Sequence, residues 1–342
     1  MYINRKIHWR HKLLIVLSLL IFLSITGCSP NKQAHKTTLF ALDTVIEITA
    51  YGEQAPRALE QASAEIKRLE ALFDAHQKTS EISQLNQQAG LAPVKLSPET
   101  FAVLAQAQLY AQQSNGAFDP TIKPLVDLWA IGKGQETVPS AAAIRQSLSL
   151  VNFKRLQLDA TTQTAFLLDK NMGVDLGGIA KNYILLQVRS LLAQQQVKHA
   201  LINGGGDIYT LGQNPQGQPW TIGVQHPRNA QAIIAKVRLE SWDQVATSGD
   251  YQRYFLVDNQ RYHHIFDLKT GYPTNSLSSA TLFAKFPAPT FPSSLCLILG
   301  KSATLEFIAQ HYPHVQALLV DSQQQVSHTA ALNGQITIAK PN

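Results

Sequence analysis

The sequence predicts an α+β protein that folds as one compact domain of mixed sheets with flanking helices, or as two closely packed subdomains. Apolar residues recur at helical spacing in a few separate segments, whereas short segments typical of strands concentrate between residues 199 and 284. No repeat and no Pro/Gly-rich linker interrupts residues 40–340, so the sequence marks no boundary between subdomains. The roughly 300 residues that follow the N-terminal segment are enough for a sizeable core.

The N-terminal segment indicates export. A basic start precedes the apolar run "LLIVLSLLIFLSITGC", which resembles a secretory signal and is short for a transmembrane helix. The small residues before Cys28 resemble a bacterial lipobox, which predicts a signal peptide over 1–27, acylation of Cys28 and a polar tether over 28–37. An uncleaved anchor helix is the alternative. Both interpretations predict a membrane-tethered protein outside the cytoplasm, and we expect a lipoprotein that faces the periplasm, on the inner membrane rather than the outer.

Composition excludes several classes of function. The net charge of +6 comes partly from the N-terminal segment, and no basic run with interleaved aromatic residues predicts nucleic-acid binding. With Cys28 acylated, Cys296 is the only other cysteine, so no internal disulfide can form. Cys296 lies in the apolar stretch "SSLCLILG", which favours a buried thiol over a nucleophile.

The first half of the chain predicts a strand and two helices. "TVIEITAYG" alternates as a strand does, and a second helix is expected from Pro98 to about Ser114, with Ser97 as its N-cap and Gly116 past its end. The first helix covers "RALEQASAEIKRLEALFDA", in which these residues have helical spacing: Ala58, Ala62, Ile66, Leu69 and Phe73.

The second half predicts a hairpin, two helices and several strands. "RLQLDATTQTAFLLDK" has the pattern of a hairpin, residues 180–195 that of a helix, and "HALING" that of a strand that leads into a glycine turn. The segments predicted as further strands are "WTIGVQH", "AKVRLE", "RYHHIFDL" and "SSATLFA". A helix from about Ser293 to Tyr312 and a last pair of strands ending in "GQITIA" complete the prediction.

Glycine-rich segments carry most of the candidate chemistry, and none matches a common nucleotide motif. There is no G-x-x-x-x-G-K-[ST] loop, and "GGGD" at 204–207 lacks the G-x-G-x-x-G pattern, so it could simply turn one strand into the next. In "VDLGGIAKNY", Gly177 and Gly178 stand between Asp175 and Lys181. Adjacent glycines beside an acid and a base predict close approach of a ligand to the backbone, with helix packing and a surface lysine as the alternative.

Six segments, in this order and wording, resemble the ApbE family of FAD:protein FMN transferases. They are "SEISQLN" (80–86), "GAFDPTIKPLVDLW" (116–129), "VDLGGIAK" (174–181), "INGGGDI" (202–208), "VATSGDYQRY" (245–254) and "HHIFDLKTGYP" (263–273). The resemblance covers about residues 38–320. It also agrees with the lipobox, since many members of the family are lipoproteins.

The resemblance implies a reaction with two substrates. FAD is cut at its pyrophosphate, FMN passes to a threonine or serine hydroxyl of an acceptor protein, and AMP leaves. Acceptors in the family are typically exported flavoprotein subunits, such as those of sodium-pumping NADH:quinone reductase and Rnf-type complexes. Phosphoryl transfer of this kind requires positioned substrates, cations on the phosphates, a metal, here Mg²⁺, and a base.

The resemblance also assigns roles to residues near the phosphates and the flavin. Lys181 is expected to supply positive charge to the pyrophosphate, and Asp175 to accept hydrogen bonds from the adenosine hydroxyls or amine. Leu42 is expected to line the isoalloxazine, and His76 to stack on it where the family has a tyrosine.

Further roles follow from two other motifs. In "GAFD", the resemblance implies flavin contacts by Ala117, Phe118 and Asp119, although Asp119 could equally be a turn residue before Pro120. His264, which is followed by the flavin-binding candidate Ile265, is expected to orient or deprotonate the acceptor hydroxyl. A satisfied core histidine is the alternative for His264, and "TSGDY" (247–251) is expected to form a tight loop on the flavin side.

The metal site departs from the family pattern. Members have an A-D-A-x-x-T phrase whose Asp and Thr hold Mg²⁺, and these positions correspond here to Thr290 and Ser294, with Ser293 and the Gly178 carbonyl as further candidate ligands. Hydroxyls without a carboxylate bind Mg²⁺ poorly. Three hypotheses follow: a working transferase, a lipoprotein that binds FAD with its chemistry lost or slowed, and an FAD pyrophosphatase.

Overall fold

The computed structural model describes residues 33–134 and 136–339. The predicted signal peptide and Cys28 lie outside the described residues. In these two ranges, no helix combines the length and the apolar character that a membrane span requires.

Helices and strands follow one another in an α+β arrangement, as the sequence predicted. The helices are α1 (Ala55–Phe73), α2 (Glu81–Gln87), α3 (Pro98–Gln113), α4 (Lys123–Trp129), α5 (Ala141–Leu148), α6 (Ala180–Gln194) and α7 (Ser294–His311). The strands of the first half are β1 (Ala34–Ala41), β2 (Thr44–Tyr51), β3 (Val94–Lys95), β4 (Leu156–Asp159) and β5 (Thr164–Leu167). Those of the middle are β6 (His199–Gly204), β7 (Asp207–Leu211), β8 (Thr221–His226), β9 (Asn229–Arg238), β10 (Gln244–Gly249), β11 (Tyr254–Val257) and β12 (Gln260–His263). The last are β13 (Phe266–Asp267), β14 (Tyr272–Pro273), β15 (Leu277–Ala284), β16 (Gln316–Asp321), β17 (Val326–His328) and β18 (Ile336–Ile338).

One large antiparallel sheet organises the molecule, with the strand order β1-β2-β6-β7-β10-β15-β16-β17. Its strand β15 is buried along its whole length, because the sheet is covered on both faces. Ala280 and Leu282 belong to the main core, which includes residues of α1, α6 and α7. Phe283 belongs to a second core under the small sheet β18-β9-β8.

A third, smaller core supports the β11–β12 hairpin. Trp129 at the end of α4 is 1% exposed and stacks on Tyr262 of β12 with ring centroids 5.6 Å apart. Its indole Nε1 donates to the Gly271 carbonyl at 2.9 Å. Phe255 of β11 packs against both rings, with its centroid 5.3 Å from that of Tyr262 and 6.4 Å from that of Trp129. This aromatic cluster fixes the hairpin, and therefore also the residues that leave its base.

Several predicted elements are confirmed. The buried residues of α1 include all five that the helical spacing selected, namely Ala58, Ala62, Ile66, Leu69 and Phe73. The Ser97 hydroxyl caps α3 by accepting from the Thr100 amide at 3.3 Å. Cys296 is fully buried, and burial raises the pKa of its thiol to about 12, as expected for a structural thiol.

Two boundaries differ from the prediction. The polar tether was expected to reach residue 37, but β1 begins at Ala34 and pairs with β2 from Ala34 opposite Tyr51. An edge strand with one solvated face does not need an apolar sequence, so the polar composition of this segment hid it. "TSGDY" was expected to be a loop, but Thr247–Gly249 belong to β10, in the middle of the large sheet.

The end of the chain and the "RYHHIFDL" segment also differ. The predicted last pair of strands does not form, because β17 pairs with β16 and β18 pairs with β9. "RYHHIFDL" is not one strand: β12 ends at His263 and β13 begins at Phe266. The Ile265 amide donates to the His263 ring at 3.3 Å, and the Ile265 carbonyl accepts from Thr274 at 3.0 Å. These bonds take Ile265 out of the hairpin and leave His264 at the break.

Candidate active site

A cleft of about 890 Å³ gathers most of the residues that the sequence singled out. The predicted site residues that line it are Leu42, His76, Ala117, Phe118, Asp119, Asp175, Gly178, Lys181, His264, Ile265, Ser293 and Ser294. Its volume lies within the usual range of about 300–1,000 Å³ for sites of small molecules and cofactors. The cleft therefore brings together residues from five parts of the chain: α1, the "GAFD" turn, the "VDLGG" turn, β10 and the base of the β11–β12 hairpin.

The tip of the β1–β2 hairpin forms one wall of the cleft. Leu42 and Asp43 are the two turn residues, with φ of 55° and 57°. A left-handed turn of this type matches the twist of the flanking strands but is unfavourable for a leucine. The Leu42 amide donates to Glu70 Oε1 at 2.6 Å, which holds the tip against α1. His76, just past the end of α1, is exposed at the rim, and its amide donates to Asp74 Oδ1 at 2.8 Å.

The "GGGD" segment is the turn between β6 and β7, and it also reaches the cleft. Gly205 and Gly206 have φ of 60° and 95°, which glycine adopts without strain. A Cβ at Gly205 would lie 2.4 Å from Thr44 Oγ1, so the turn also needs glycine for close packing against the β1–β2 hairpin. The motif therefore turns one strand into the next, which was one of its two interpretations. Gly205 and Asp207 also line the cleft.

The "VDLGG" turn is held by bonds from distant parts of the chain. The Asn86 side chain binds both the amide and the carbonyl of Val174, at 2.6 and 2.9 Å. The Asp175 amide donates to the Pro120 carbonyl at 2.9 Å, which joins the turn to "GAFDP". Asp175 Oδ1 accepts from the Gly177 amide at 2.8 Å, so one carboxylate oxygen holds the turn and the other is left for a ligand.

The protein itself occupies the space next to the two glycines. A Cβ at Gly177 would lie 2.9 Å from Asp175 Oδ1, and one at Gly178 would lie 3.1 Å from the Phe118 ring. The sequence attributed both glycines to the approach of a ligand. Packing against Asp175 and Phe118 is one reason for them, and both glycines also line the cleft.

Asp119 has a structural role. It is 6% exposed, its Oδ1 accepts from the Thr121 amide and hydroxyl at 2.8 and 2.7 Å, and its Oδ2 accepts from the Phe153 amide at 2.7 Å. Burial raises the pKa of this carboxyl, while these hydrogen bonds act in the opposite direction. Both oxygens are committed to the protein, which favours the turn interpretation. Phe118 beside it faces the cleft and packs edge-on against Tyr110.

Lys181 is paired with an acid that the sequence analysis did not select. Its Nζ lies 2.9 Å from Asp207 Oδ2, and the Asp207 side chain is only 4% exposed. Asp207 Oδ1 accepts from the Thr247 amide at 2.9 Å. The pair places the ammonium group in the cleft beside the "VDLGG" turn, where two of its three N–H donors remain for a ligand.

The two adjacent histidines have different environments. His263 is 2% exposed, its Nε2 donates to the Thr274 carbonyl at 2.5 Å, and its Nδ1 accepts from Ile265. His264 lines the cleft, and its Nδ1 donates to the Arg253 carbonyl at 3.2 Å. Nε2 of His264 is then the unprotonated nitrogen. Burial, followed by the charge of Arg253, lowers the pKa of His264 to about 3, so the imidazole is neutral at pH 7.

We expect the buried His263 to make the protein less stable in mild acid. Burial lowers its pKa below the ordinary value of 6.5, so between pH 6.5 and the lowered pKa the unfolded chain binds a proton that the folded chain does not. The free energy of unfolding should fall by up to about 1.4 kcal/mol per pH unit for this residue. Urea denaturation at pH 7.5, 6.5 and 5.5 measures the slope. His263→Gln should reduce it, and an unchanged slope would contradict the assignment.

The candidate metal ligands do not form a suitable set. Ser293 Oγ lies 2.8 Å from Ser248 Oγ, and Ser294 Oγ faces Gly178. Thr290 does not line the cleft in the described part of the chain. Its carbonyl accepts from the Tyr110 hydroxyl at 2.6 Å, and the next residue, Phe291, is fixed in an aromatic cluster. Thr290 therefore lies outside the cleft lining that contains Gly178, Ser293 and Ser294.

The chemistry of the donors decides whether Mg²⁺ fits. Two neutral hydroxyls and a carbonyl provide no carboxylate oxygen, which a hard divalent cation prefers. Within residues 33–134 and 136–339, no group of three or more His, Cys, Asp or Glu side chains is placed to hold a metal ion. The residues at this position do not fit Mg²⁺.

Three contributors to the site were missed from the sequence. Asp207 and Arg253 lie inside motifs that were recognised, but the side chains they pair with, Lys181 and Asp43, belong to other segments. Asn86 closes the "SEISQLN" motif, and its bonds to Val174 span 88 residues. The signal in the sequence that could have identified these three residues is that each is a polar residue inside a recognised motif.

An antiparallel α+β fold whose cleft gathers a neutral histidine, a lysine and two tight backbone turns defines a candidate group-transfer enzyme. The sequence profile of the ApbE family matches residues 42–319. A Klebsiella pneumoniae protein named FAD:protein FMN transferase is 42% identical over 221 residues, which are 64% of this chain and 68% of that protein. A Haemophilus influenzae protein of the same name is 32% identical and covers 76% of each chain.

Solved structures agree with this result. The ApbE protein of Thermotoga maritima superimposes with a TM-score of 0.78 at 28% identity and covers 87% of this chain and 98% of its own. The flavin transferase ApbE of Vibrio cholerae gives a TM-score of 0.73 at 23% identity, with 87% and 97% covered, and supports the fold. This chain belongs to the ApbE family.

Proposed function

We propose that this protein is an FAD:protein FMN transferase, which cleaves FAD, attaches FMN through a phosphoester to a threonine or serine of an acceptor protein, and releases AMP. The observation that carries the proposal is the meeting of His264, the Lys181–Asp207 pair and the "VDLGG" turn in one cleft. The names of the relatives support the same activity.

The base of the reaction is Nε2 of His264. Its Nδ1–H is bound to the Arg253 carbonyl, which fixes the tautomer and the ring orientation. The acceptor hydroxyl gives its proton to Nε2 as its oxygen attacks the FMN-side phosphorus of FAD. The phosphorus–oxygen bond to AMP breaks, AMP leaves with the electron pair of that bond, and the proton on His264 passes to AMP or to water.

The other wall of the cleft positions FAD. Lys181 offers two free N–H donors to the pyrophosphate, and the second oxygen of Asp175 can accept from the adenosine. Leu42 and Phe118 offer apolar surface to the isoalloxazine, and the exposed His76 can stack over it at the rim. Asp119 stabilises this wall by accepting hydrogen bonds from Thr121 and Phe153, and it does not contact the ligand.

The acceptor, the location and the metal are further parts of the proposal. We infer acceptors among exported flavoprotein subunits, such as those of sodium-pumping NADH:quinone reductase or Rnf-type complexes. We also infer a lipoprotein anchored through Cys28 in the periplasm, with the inner membrane favoured. The lipobox-like sequence before Cys28 supports the anchor. Magnesium is expected from the resemblance, but the donor set at 178, 293 and 294 does not fit it, and no step is derived through it.

A transfer assay distinguishes the three hypotheses. The full chain in detergent is incubated with FAD and an exported flavoprotein acceptor, and both covalent flavin fluorescence on the acceptor and released AMP are measured. A transferase gives fluorescent acceptor and AMP in equal amounts, and only when acceptor is present. AMP without labelled acceptor would indicate a pyrophosphatase. Flavin binding without AMP would indicate a binding protein, and either result would overturn the proposal.

A further inference from the structure

The residues that line the cleft carry little positive charge for the phosphates of FAD. The acidic residues that line it are Asp43, Glu70, Asp74, Asp119, Asp127, Asp175 and Asp207, and the basic ones, among the described residues, are Lys133, Lys181 and Arg253. Acids therefore outnumber bases where a doubly charged pyrophosphate has to bind. The transferred phosphoryl group gains further charge on its oxygens in the transition state, so a cation must face it.

Lys181 cannot supply the whole of this charge. It is already paired with the buried Asp207 at 2.9 Å, so the pair is electrically neutral. The ammonium can donate hydrogen bonds to a phosphate oxygen, but it adds no net charge to this side of the cleft. The neutral hydroxyls of Ser293 and Ser294 add none either.

Arg253 is the cation next to the base. It directly precedes β11, its carbonyl binds both the Nδ1 and the amide of His264, and its charge is the largest electrostatic influence on the His264 ring. Its side chain passes Gly132, where its Cδ would lie 3.9 Å from a Cβ at that position. Its guanidinium then reaches toward Asp43 on the opposite hairpin tip.

The partner of Arg253 is weakly held. Arg253 Nη1 lies 3.5 Å from Asp43 Oδ2, at the limit of a hydrogen bond, and the two side chains are 46% and 80% exposed. Ion pairs between exposed side chains contribute little, so exchanging Asp43 for a phosphate costs little. The planar guanidinium can bind two phosphate oxygens at once, a geometry that lysine lacks.

We propose that Arg253 is a catalytic residue whose guanidinium leaves Asp43 and binds the pyrophosphate of FAD, where it stabilises the charge of the phosphoryl group during transfer to the acceptor. The proposal rests on the proposed function and deepens it. Arg253 then supplies from the protein the positive charge that the hydroxyl set at Ser293 and Ser294 cannot supply through a bound metal. Transfer is consequently expected to proceed without an added divalent cation.

The test compares four variants of the full chain in detergent. Arg253→Met removes the charge and keeps an aliphatic side chain of similar length. Arg253→Lys keeps the charge but lacks the planar guanidinium. Lys133→Met removes the other cation of the cleft lining that is not committed to a buried acid. Arg238→Met is the matched control, because Arg238, the last residue of β9, forms an exposed ion pair with Glu240 outside the cleft lining. The melting temperature of each variant shows that it is folded.

Binding gives the first readout and does not depend on turnover. Riboflavin shares the isoalloxazine of FAD and lacks its phosphates and its adenosine, so a residue that contacts the isoalloxazine alone leaves the ratio of the two dissociation constants unchanged. Arg253→Met should raise the Kd for FAD about tenfold or more and leave that for riboflavin within about twofold. Equal changes for both ligands, or no change, would overturn the proposal even if the wild type transferred no FMN.

Turnover gives the second readout. In Arg253→Met, kcat should fall about 100-fold, with an intermediate loss in Arg253→Lys and none in Arg238→Met. An active wild type with a fully active Arg253→Met would contradict the inference and leave the proposed function intact, as would a loss confined to Lys133→Met. The wild type should also keep its rate in EDTA. Abolition of transfer by EDTA with recovery in Mg²⁺ would show that a metal supplies the charge.

Discussion

Replacing His264 with glutamine is expected to lower kcat for FMN transfer by about 10²–10⁴-fold, the usual contribution of a positioned general base. Glutamine can still donate to the Arg253 carbonyl, as His264 Nδ1 does at 3.2 Å, so the backbone at the end of β12 should be preserved. What it lacks is an unprotonated nitrogen to take the proton from the acceptor hydroxyl. The rate of labelled acceptor formation at saturating FAD measures the effect.

Two observations separate this catalytic role from a structural one. The dissociation constant for FAD should change by less than about threefold in His264→Gln, since the base acts on the acceptor and not on the flavin. His328→Gln, on β17 at the far edge of the large sheet, is the matched control and should transfer FMN normally. Normal turnover in His264→Gln would show that His264 is not the base. Weak FAD binding in that variant would instead indicate damage to the flavin site.

Replacing Lys181 with methionine is expected to affect both stability and FAD binding. Asp207, whose side chain is 4% exposed, would keep its bond to the Thr247 amide but lose the ammonium at 2.9 Å. An unpaired buried carboxylate is costly, and we expect a loss of about 3 kcal/mol in the free energy of unfolding. Urea denaturation at pH 7.5 measures this loss, and fluorescence titration measures the weaker binding of FAD.

The double variant Lys181→Met/Asp207→Asn separates the two effects. An asparagine can still accept from Thr247 and carries no charge, so most of the stability should return. FAD binding should stay weak, because the donors that Lys181 offers to the pyrophosphate remain absent. Recovery of FAD binding in the double variant would show that Lys181 serves only to neutralise Asp207. Its role in the cleft would then be structural.

Local patterns were sufficient for the helices and for most of the strands. The five core positions of α1 and the Ser97 cap of α3 depend on spacing and capping within a single helix, which the sequence states directly. The polar edge strand β1 escaped prediction because its pairing with β2, not its composition, makes it a strand. The break at His264 escaped for a similar reason, since it depends on hydrogen bonds from Thr274 and His263.

The sequence by itself determined the family, the fold class and most of the residues of the cleft. Motifs such as "VDLGGIAK" and "HHIFDLKTGYP" can be recognised because their residues are contiguous in the chain. Only the tertiary structure decided which partners those residues have. It commits both oxygens of Asp119 to the protein, pairs Lys181 with Asp207, keeps Thr290 out of the cleft and places Arg253 between His264 and Asp43. Most of these outcomes depend on a partner from another element of the fold, because hydrogen bonds and ion pairs act over a few ångströms in space whatever the separation in sequence.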